Sequence, residues 1–362
     1  MIKNLIPFLF FIFALSSFGQ NLKSGFDKDE YVELLKLTSR NSLPPDSAKK
    51  IPFPNNFKLE YRSPVVGLDN VWELWSNGKG TAVISVRGST KNTESWLANF
   101  YAAMVPAKGI LKLSKDDLFD YELAQNPKAA VHVGWLLSTA YLSKTILPKI
   151  DSCYRRGIKN FLVTGHSQGG GISYLLTAYL YNLQRKSLLP ADIRLKTYCS
   201  AAPKPGNLFF AYDYEKLTQN GWAYNVVNAN DWVPEMVLSV QTVEDFNTVN
   251  PFIFFKSTIK KQKFPKNLVL RYFYNKMDKP SRKAQRYYQK YLGNKLSDYV
   301  RKYLPEFDPP VYFKTSNYVR TGNTIVLDGE EEYFKQYPNS KEKIMIHHQP
   351  EAYLYLAEHA YN

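Results

Sequence analysis

The stretch Phe161–Leu176, FLVTGHSQGGGISYLL, sets a serine between glycines, directly after a short apolar run and directly before a helical pattern. Phe161, Leu162 and Val163 are β-rich and bounded by glycine, whereas Ile172, Leu175, Leu176, Tyr179 and Leu180 recur at helical spacing. The reading is strand, sharp turn, helix. A covalent serine catalyst needs its hydroxyl on such a corner, with no bulk on either flank, so that a carbonyl and a histidine both reach it. Gly165 and Gly169 meet that need around Ser167. The same spacing also describes an ordinary glycine-rich turn, so the assignment of Ser167 as a nucleophile depends on partners elsewhere in the chain.

Working outward, Phe57 to Arg62, Val71 to Trp75 and Thr81 to Arg87 read as strands, the last two joined by a turn at Asn77-Gly78. Helices are expected over Val131 to Ile150, after the serine, and from about Pro350. Further strands are expected at Ile193 to Cys199 and Ala223 to Asn228, with a hairpin about Thr321-Gly322-Asn323. Strands alternating with helices imply a mostly parallel central sheet flanked by helices, whose function collects at the carboxyl ends of its strands. Cys153 and Cys199 fall in regular elements on either side of the serine and read as buried free thiols.

A hydrolase of this layout needs an acid and a histidine after the serine. Of the five histidines, His347, His348 and His359 follow Ser167, and His359 reads as a surface residue of the closing helix. His347 and His348 sit on the loop before Pro350, where a ring projects toward the sheet edge. Asp231, in YNVVNANDWVP, ends an apolar strand where an orienting carboxylate belongs; its neighbouring turn residues are asparagines, which lack the charge that stabilises an imidazolium. For a developing oxyanion, the backbone N–H of Gln168 stands at the head of a helix, and Gly88 and Ser89 lie just past an earlier strand.

SVRGS, SWLANF, VHVGWL, GHSQGG, SAAPKPGN and NDWVP, followed by a late histidine, run in the motif order of the class 3, or fungal-type, triacylglycerol lipase family, which the chain resembles from about Phe57 onward. The resemblance implies an α/β-hydrolase fold, a Ser-Asp-His triad of Ser167, Asp231 and His348, and an oxyanion hole in which Ser89 joins Gln168. It prefers His348 over His347 because HQPEAYL matches the family's pattern of a histidine followed five residues on by an aromatic. It also implies lipid-ester hydrolysis without metal or organic cofactor. Two features depart from the family: Gln168 stands where leucine is usual, and the interval from Asp231 to His348 is long. A basic segment fills that interval.

Net charge is +15, and most of it is local. Between Pro251 and Lys302 there are fifteen basic residues against Asp278 and Asp298, interleaved with aromatics such as Phe254, Phe264, Tyr272 and Phe273. A solvated helical insertion at about 251–310 and a contact for an anionic membrane surface are both consistent with this mixture. So is nucleic acid, but export argues against that partner. Lys3, the apolar run Leu5 to Leu15 and the small residues Ser16, Ser17 and Gly19 have the order of a secretory signal. The run falls short of the about 20 residues a bilayer span needs. The expected organisation is therefore a signal peptide at 1–19 and one hydrolase domain at 20–362, exported and soluble. Trp96, Leu97, Phe100, Tyr101, Met104 and Val105 form an apolar stripe that suits a lid or acyl-chain wall as well as a plain core helix. The rival from another class is a non-catalytic surface-binding protein that keeps the scaffold and holds anionic partners with its basic segment.

Overall fold

The central sheet is built from seven strands whose spatial order follows the chain: β1 (Lys58–Arg62), β2 (Trp72–Ser76), β3 (Thr81–Val86), β4 (Asn160–His166), β5 (Arg194–Ser200), β6 (Ala223–Asn228) and β7 (Asn323–Leu327). The first three pair antiparallel and the rest are parallel. This computed structural model describes residues 22–42 and 51–359. The expected signal peptide lies outside the described residues.

Side-chain alternation divides the sheet between two cores. Ala82, Ile84, Phe161 and Val163 face one layer, with α3 (Val133–Arg155) and α4 (Gln168–Arg185), through Leu136, Ile172 and Leu176. Val83, Leu162 and Val226 face the other, where α1 (Lys28–Ser42) and α6 (Pro350–His359) supply Leu34, Leu35, Tyr353 and Leu356. Burial on both faces explains why β3 and β4 read as near-continuous apolar runs rather than alternating ones. Together the parallel strands, the two helical layers and the strand–turn–helix at Ser167 make an α/β-hydrolase fold. Cys153 and Cys199 are both buried and free.

Two expectations are corrected. Thr321-Gly322-Asn323 does not close a hairpin. Tyr318–Val319 pairs with Gly206–Asn207 in a small four-stranded sheet, and Asn323–Leu327 pairs in parallel with β6. Gly322, at φ 86°, turns the chain between two sheets rather than back on itself. The apolar stripe from Trp96 to Val105 is likewise not one helix. α2 (Thr93–Phe100) stops at Phe100, and Met104–Pro106 becomes a strand against Ala130–His132. There the Ala103 N–H donates to the Leu292 carbonyl and the Val133 N–H to that of Ala103, so the tertiary ladder overrides the helical period.

The basic segment is helical, with a short helix at Phe255–Lys260, α5 (Lys266–Tyr287), a π-helical stretch at Tyr288–Lys295 and a helix at Leu296–Tyr303. It returns to the body through Tyr288, whose hydroxyl donates to the Leu238 carbonyl, and through Gln289, whose amide donates to the Phe313 carbonyl at 3.0 Å.

Candidate active site

Ser167 sits at φ 60° and ψ −128°, a left-handed conformation that costs a non-glycine residue about 1–3 kcal/mol unless its surroundings hold it. Two hydrogen bonds do so: Ser167 N–H donates to the Ser200 carbonyl at 2.9 Å, and Gly171 N–H donates to the Ser167 carbonyl at 3.1 Å. The flanking glycines are required by contact. A Cβ on Gly165 would lie 2.2 Å from the Gly169 carbonyl carbon, and one on Gly169 would lie 2.3 Å from the Val86 carbonyl oxygen.

Asp231 follows β6 and His348 precedes α6, and the fold brings them together. His348 Nδ1–H donates to Asp231 Oδ2 at 2.7 Å, which leaves Nε2 as the basic nitrogen. Both side chains are buried. Tyr353 Oη–H donates to the same carboxylate oxygen at 2.8 Å, and Val233 N–H donates to Oδ1 at 3.0 Å. Burial pushes the Asp231 pKa upward, but the hydrogen bond and charge of His348, helped by Val233 and Tyr353, outweigh it and hold the carboxyl below its ordinary value. Tyr353 is the aromatic five residues after His348, so the spacing in the sequence carries a contact to the Asp231 carboxylate.

His347 turns away. Its Nδ1 bonds the Tyr333 hydroxyl at 2.7 Å and its Nε2 the Asn339 Oδ1 at 2.9 Å. Its pKa is lowered by burial, with Asp231 acting weakly the other way. His359 is exposed at the end of α6.

His166, which precedes the serine in the chain, braces the histidine loop. The chain runs from the Tyr31 hydroxyl to Ser200 Oγ at 2.8 Å, on to His166 Nδ1 at 3.0 Å, and from His166 Nε2 to the His348 carbonyl at 2.9 Å. Since a carbonyl only accepts, Nε2 carries the proton and Nδ1 accepts from Ser200. Burial, then the nearby His348, lower the His166 pKa to about 3, so the ring is neutral.

On the opposite side, the loop after β3 carries Ser89. Asp69 pins this loop, accepting from Arg87 at 2.8 Å, from the Thr90 hydroxyl at 2.5 Å and from the Asn92 amide at 3.2 Å. Ser89 Oγ accepts from Asn99 Nδ2 at 2.8 Å, and Trp135 Nε1–H donates to Asn99 Oδ1 at 3.1 Å. The indole thereby fixes which end of the amide faces Ser89, and the serine's own proton is left to point elsewhere. Gln168 offers its backbone N–H at the head of α4, among the groups a helix leaves unpaired. Its side chain clamps the start of α2: Nε2–H donates to the Ser95 carbonyl at 2.8 Å and Oε1 accepts from Ser95 Oγ at 3.3 Å. A leucine at this position would make neither bond. Asn99 and Trp135 fall within the SWLANF and VHVGWL motifs without being assigned a role by them, and Asp69 lies in no motif; the contacts that tie Asp69 and Trp135 to the site come from separate stretches of chain.

Ser89, Ser167, Gln168 and His348 line one cavity of about 530 Å³, within the range of small-molecule sites. Trp96 and Phe100 of α2, Trp232, Leu238, and Tyr288 and Leu292 from the basic segment form its apolar walls. Ser95, Leu97 and Ala98 on the other side of α2 are buried, so this helix is core on one face and cavity wall on the other. Among the described residues, no lysine, arginine, aspartate or glutamate lines the cavity.

The sequence model described as lipase (class 3) matches residues 83–241, the span from β3 past Asp231. Residues 83–241 belong to the class 3 lipase family. A curated relative, the secreted mono- and diacylglycerol lipase 1 of Fusarium solani, is 31% identical over 169 residues, which is 44% of this chain and 40% of the relative. The chain thus spans well under half the length of the curated relative it matches. Among solved structures, the Lip2 lipase of Yarrowia lipolytica superposes with a TM-score of 0.44 at 19% identity, over 60% of this chain and 76% of that one. The Rhizomucor miehei lipase–propeptide complex does so with a TM-score of 0.39 at 21% identity, over 59% and 65%. His348 and the basic segment lie beyond the class 3 lipase span.

Proposed function

We propose that this chain is an exported serine esterase that hydrolyses the carboxylic ester bonds of lipids, acylglycerols or phospholipids, through an acyl-enzyme. The observation that carries the reading is His348, hydrogen-bonded to the buried Asp231, lining the same uncharged cavity as the strained Ser167. An apolar, charge-free lining suits an acyl chain. The name of the Fusarium relative supports acylglycerols and export, and the N-terminal residues support export on their composition.

In this mechanism His348 Nε2 takes the proton of Ser167 Oγ as the oxygen attacks the ester carbonyl, and Asp231 holds the ring and stabilises the imidazolium. The negative charge gathers on the former carbonyl oxygen, where the Gln168 N–H and Ser89 donate. His348 returns the proton to the departing alkoxide, and the alcohol leaves. Water then loses a proton to His348, attacks the acyl-enzyme, and releases the carboxylic acid with Ser167 restored.

The test is labelling by a fluorophosphonate, combined with hydrolysis rates across p-nitrophenyl esters of rising chain length. The expected result is stoichiometric labelling at Ser167 and a rate that climbs with acyl length until the cavity is filled. An unlabelled, inert protein would instead favour the non-catalytic surface-binding scaffold. A narrower prediction concerns Ser89. Its hydroxyl is the part held by Asn99, so Ser89→Ala should lower kcat by about 10²–10³ while leaving KM nearly unchanged. A change confined to KM would place Ser89 in substrate binding.

A further inference from the structure

We propose that the outward face of α5 docks on the surface of an anionic lipid bilayer and so brings the cavity to its substrate. Phe264, Leu268, Val269, Tyr272, Phe273 and Met277 are each between 49% and 78% exposed. They recur at spacings of four along and just before the helix, so they form one continuous stripe. The opposite side of α5 faces the protein, with Asp278 and Gln285 buried. Lys266, Lys276, Lys279 and Lys283 project from the stripe's side of the helix and are exposed. Among the described residues, the acids that pair with cations of the 251–302 segment are Asp278 and Glu244, which take Lys256 and Arg282. The remaining cations keep their charge for a partner. An apolar stripe bordered by lysines, whose long stems let their heads reach upward while the rings sink, is the pattern of a helix lying in a lipid interface. The charge selects an anionic surface.

The placement ties docking to the cavity. α5 runs directly into Tyr288, which together with Leu292 forms part of the cavity wall. The lipid-facing element and the acyl site thus share one stretch of chain.

The docking claim extends the esterase reading but is measured without turnover, so each fails separately. Full-length protein carrying Ser167→Ala would be sedimented with vesicles of phosphatidylcholine alone or mixed with phosphatidylglycerol. Binding should require phosphatidylglycerol and weaken at least tenfold as salt rises, since the screening length shortens to about 8 Å at physiological ionic strength. Lys266→Gln, Lys276→Gln, Lys279→Gln and Lys283→Gln combined should cut binding about tenfold at low salt. Phe273→Ser with Met277→Ser should weaken it even there, where charge attraction is intact. In the Ser167-intact background both variants should hydrolyse a short soluble ester at the wild-type rate, which verifies their fold. Equal binding to both vesicle types, or variants that bind like the parent, would overturn the proposal. So would a stable dimer in gel filtration that Phe273→Ser with Met277→Ser dissociates, because a second copy would then own this face.

Discussion

Ser167→Ala is expected to lower kcat by about 10⁵–10⁶, leaving only what the oxyanion donors and substrate binding supply. The magnitude follows from the chemistry: without Oγ no acyl-enzyme forms, and Asp231 and His348 have nothing to activate but water. The fold should survive. The bonds that hold the turn use the Ser167 backbone N–H and carbonyl, which alanine retains, and the conformation at φ 60° strains alanine about as much as serine. KM for a short ester and the denaturant midpoint should therefore stay near wild type while labelling by a fluorophosphonate disappears. Turnover within tenfold of wild type would remove Ser167 from the nucleophile's role and return GHSQGG to the status of a tight turn.

What was legible in the sequence is what acts locally. The strand–turn–helix around Ser167 announces itself through local spacing, and one of its glycines is forced locally too: Gly165 lies against Gly169, four residues on, whereas Gly169 is forced by the distant Val86 carbonyl. β6 ending just before Asp231 is equally visible, since an apolar run stops at a polar cluster. The misread elements fail for one physical reason. The stripe from Trp96 to Val105 has a helical period, but Met104–Pro106 pairs with a strand some twenty-five residues away, and no local pattern reports that partner. Thr321-Gly322-Asn323 has hairpin chemistry, yet the strands on either side pair in different sheets. The supports of the site are hidden for the same reason: Asp69 reaches the Ser89 loop, Tyr31 reaches His166 through Ser200, and Trp135 reaches Asn99, each from a separate element. Gln168 is the instructive case. Its role was read from its backbone, and its side chain proves to hold α2 to the turn.

The second large effect is expected at the acid and its histidine. Asp231→Asn should lower kcat by about 10⁴ with little change in KM. The introduced amide would keep its one oxygen for the Val233 N–H, which turns its NH₂ toward His348. Nδ1 would then accept rather than donate, and the ring proton would move to Nε2, where the base must be empty. The geometry would be preserved and the tautomer wrong, so the loss falls on the chemical step. His348→Ala should lose at least as much, whereas His347→Ala should fall less than tenfold, because the His347 ring spends both nitrogens on Tyr333 and Asn339. Tyr353→Phe removes one of the bonds that hold the Asp231 pKa down, so it should lower activity modestly and move the acid limb of the kcat–pH profile upward. Comparing His347→Ala with His348→Ala decides the assignment directly: a loss of about 10⁴ or more at position 347, with position 348 tolerant, would exchange the two residues and leave Asp231 without its proposed role.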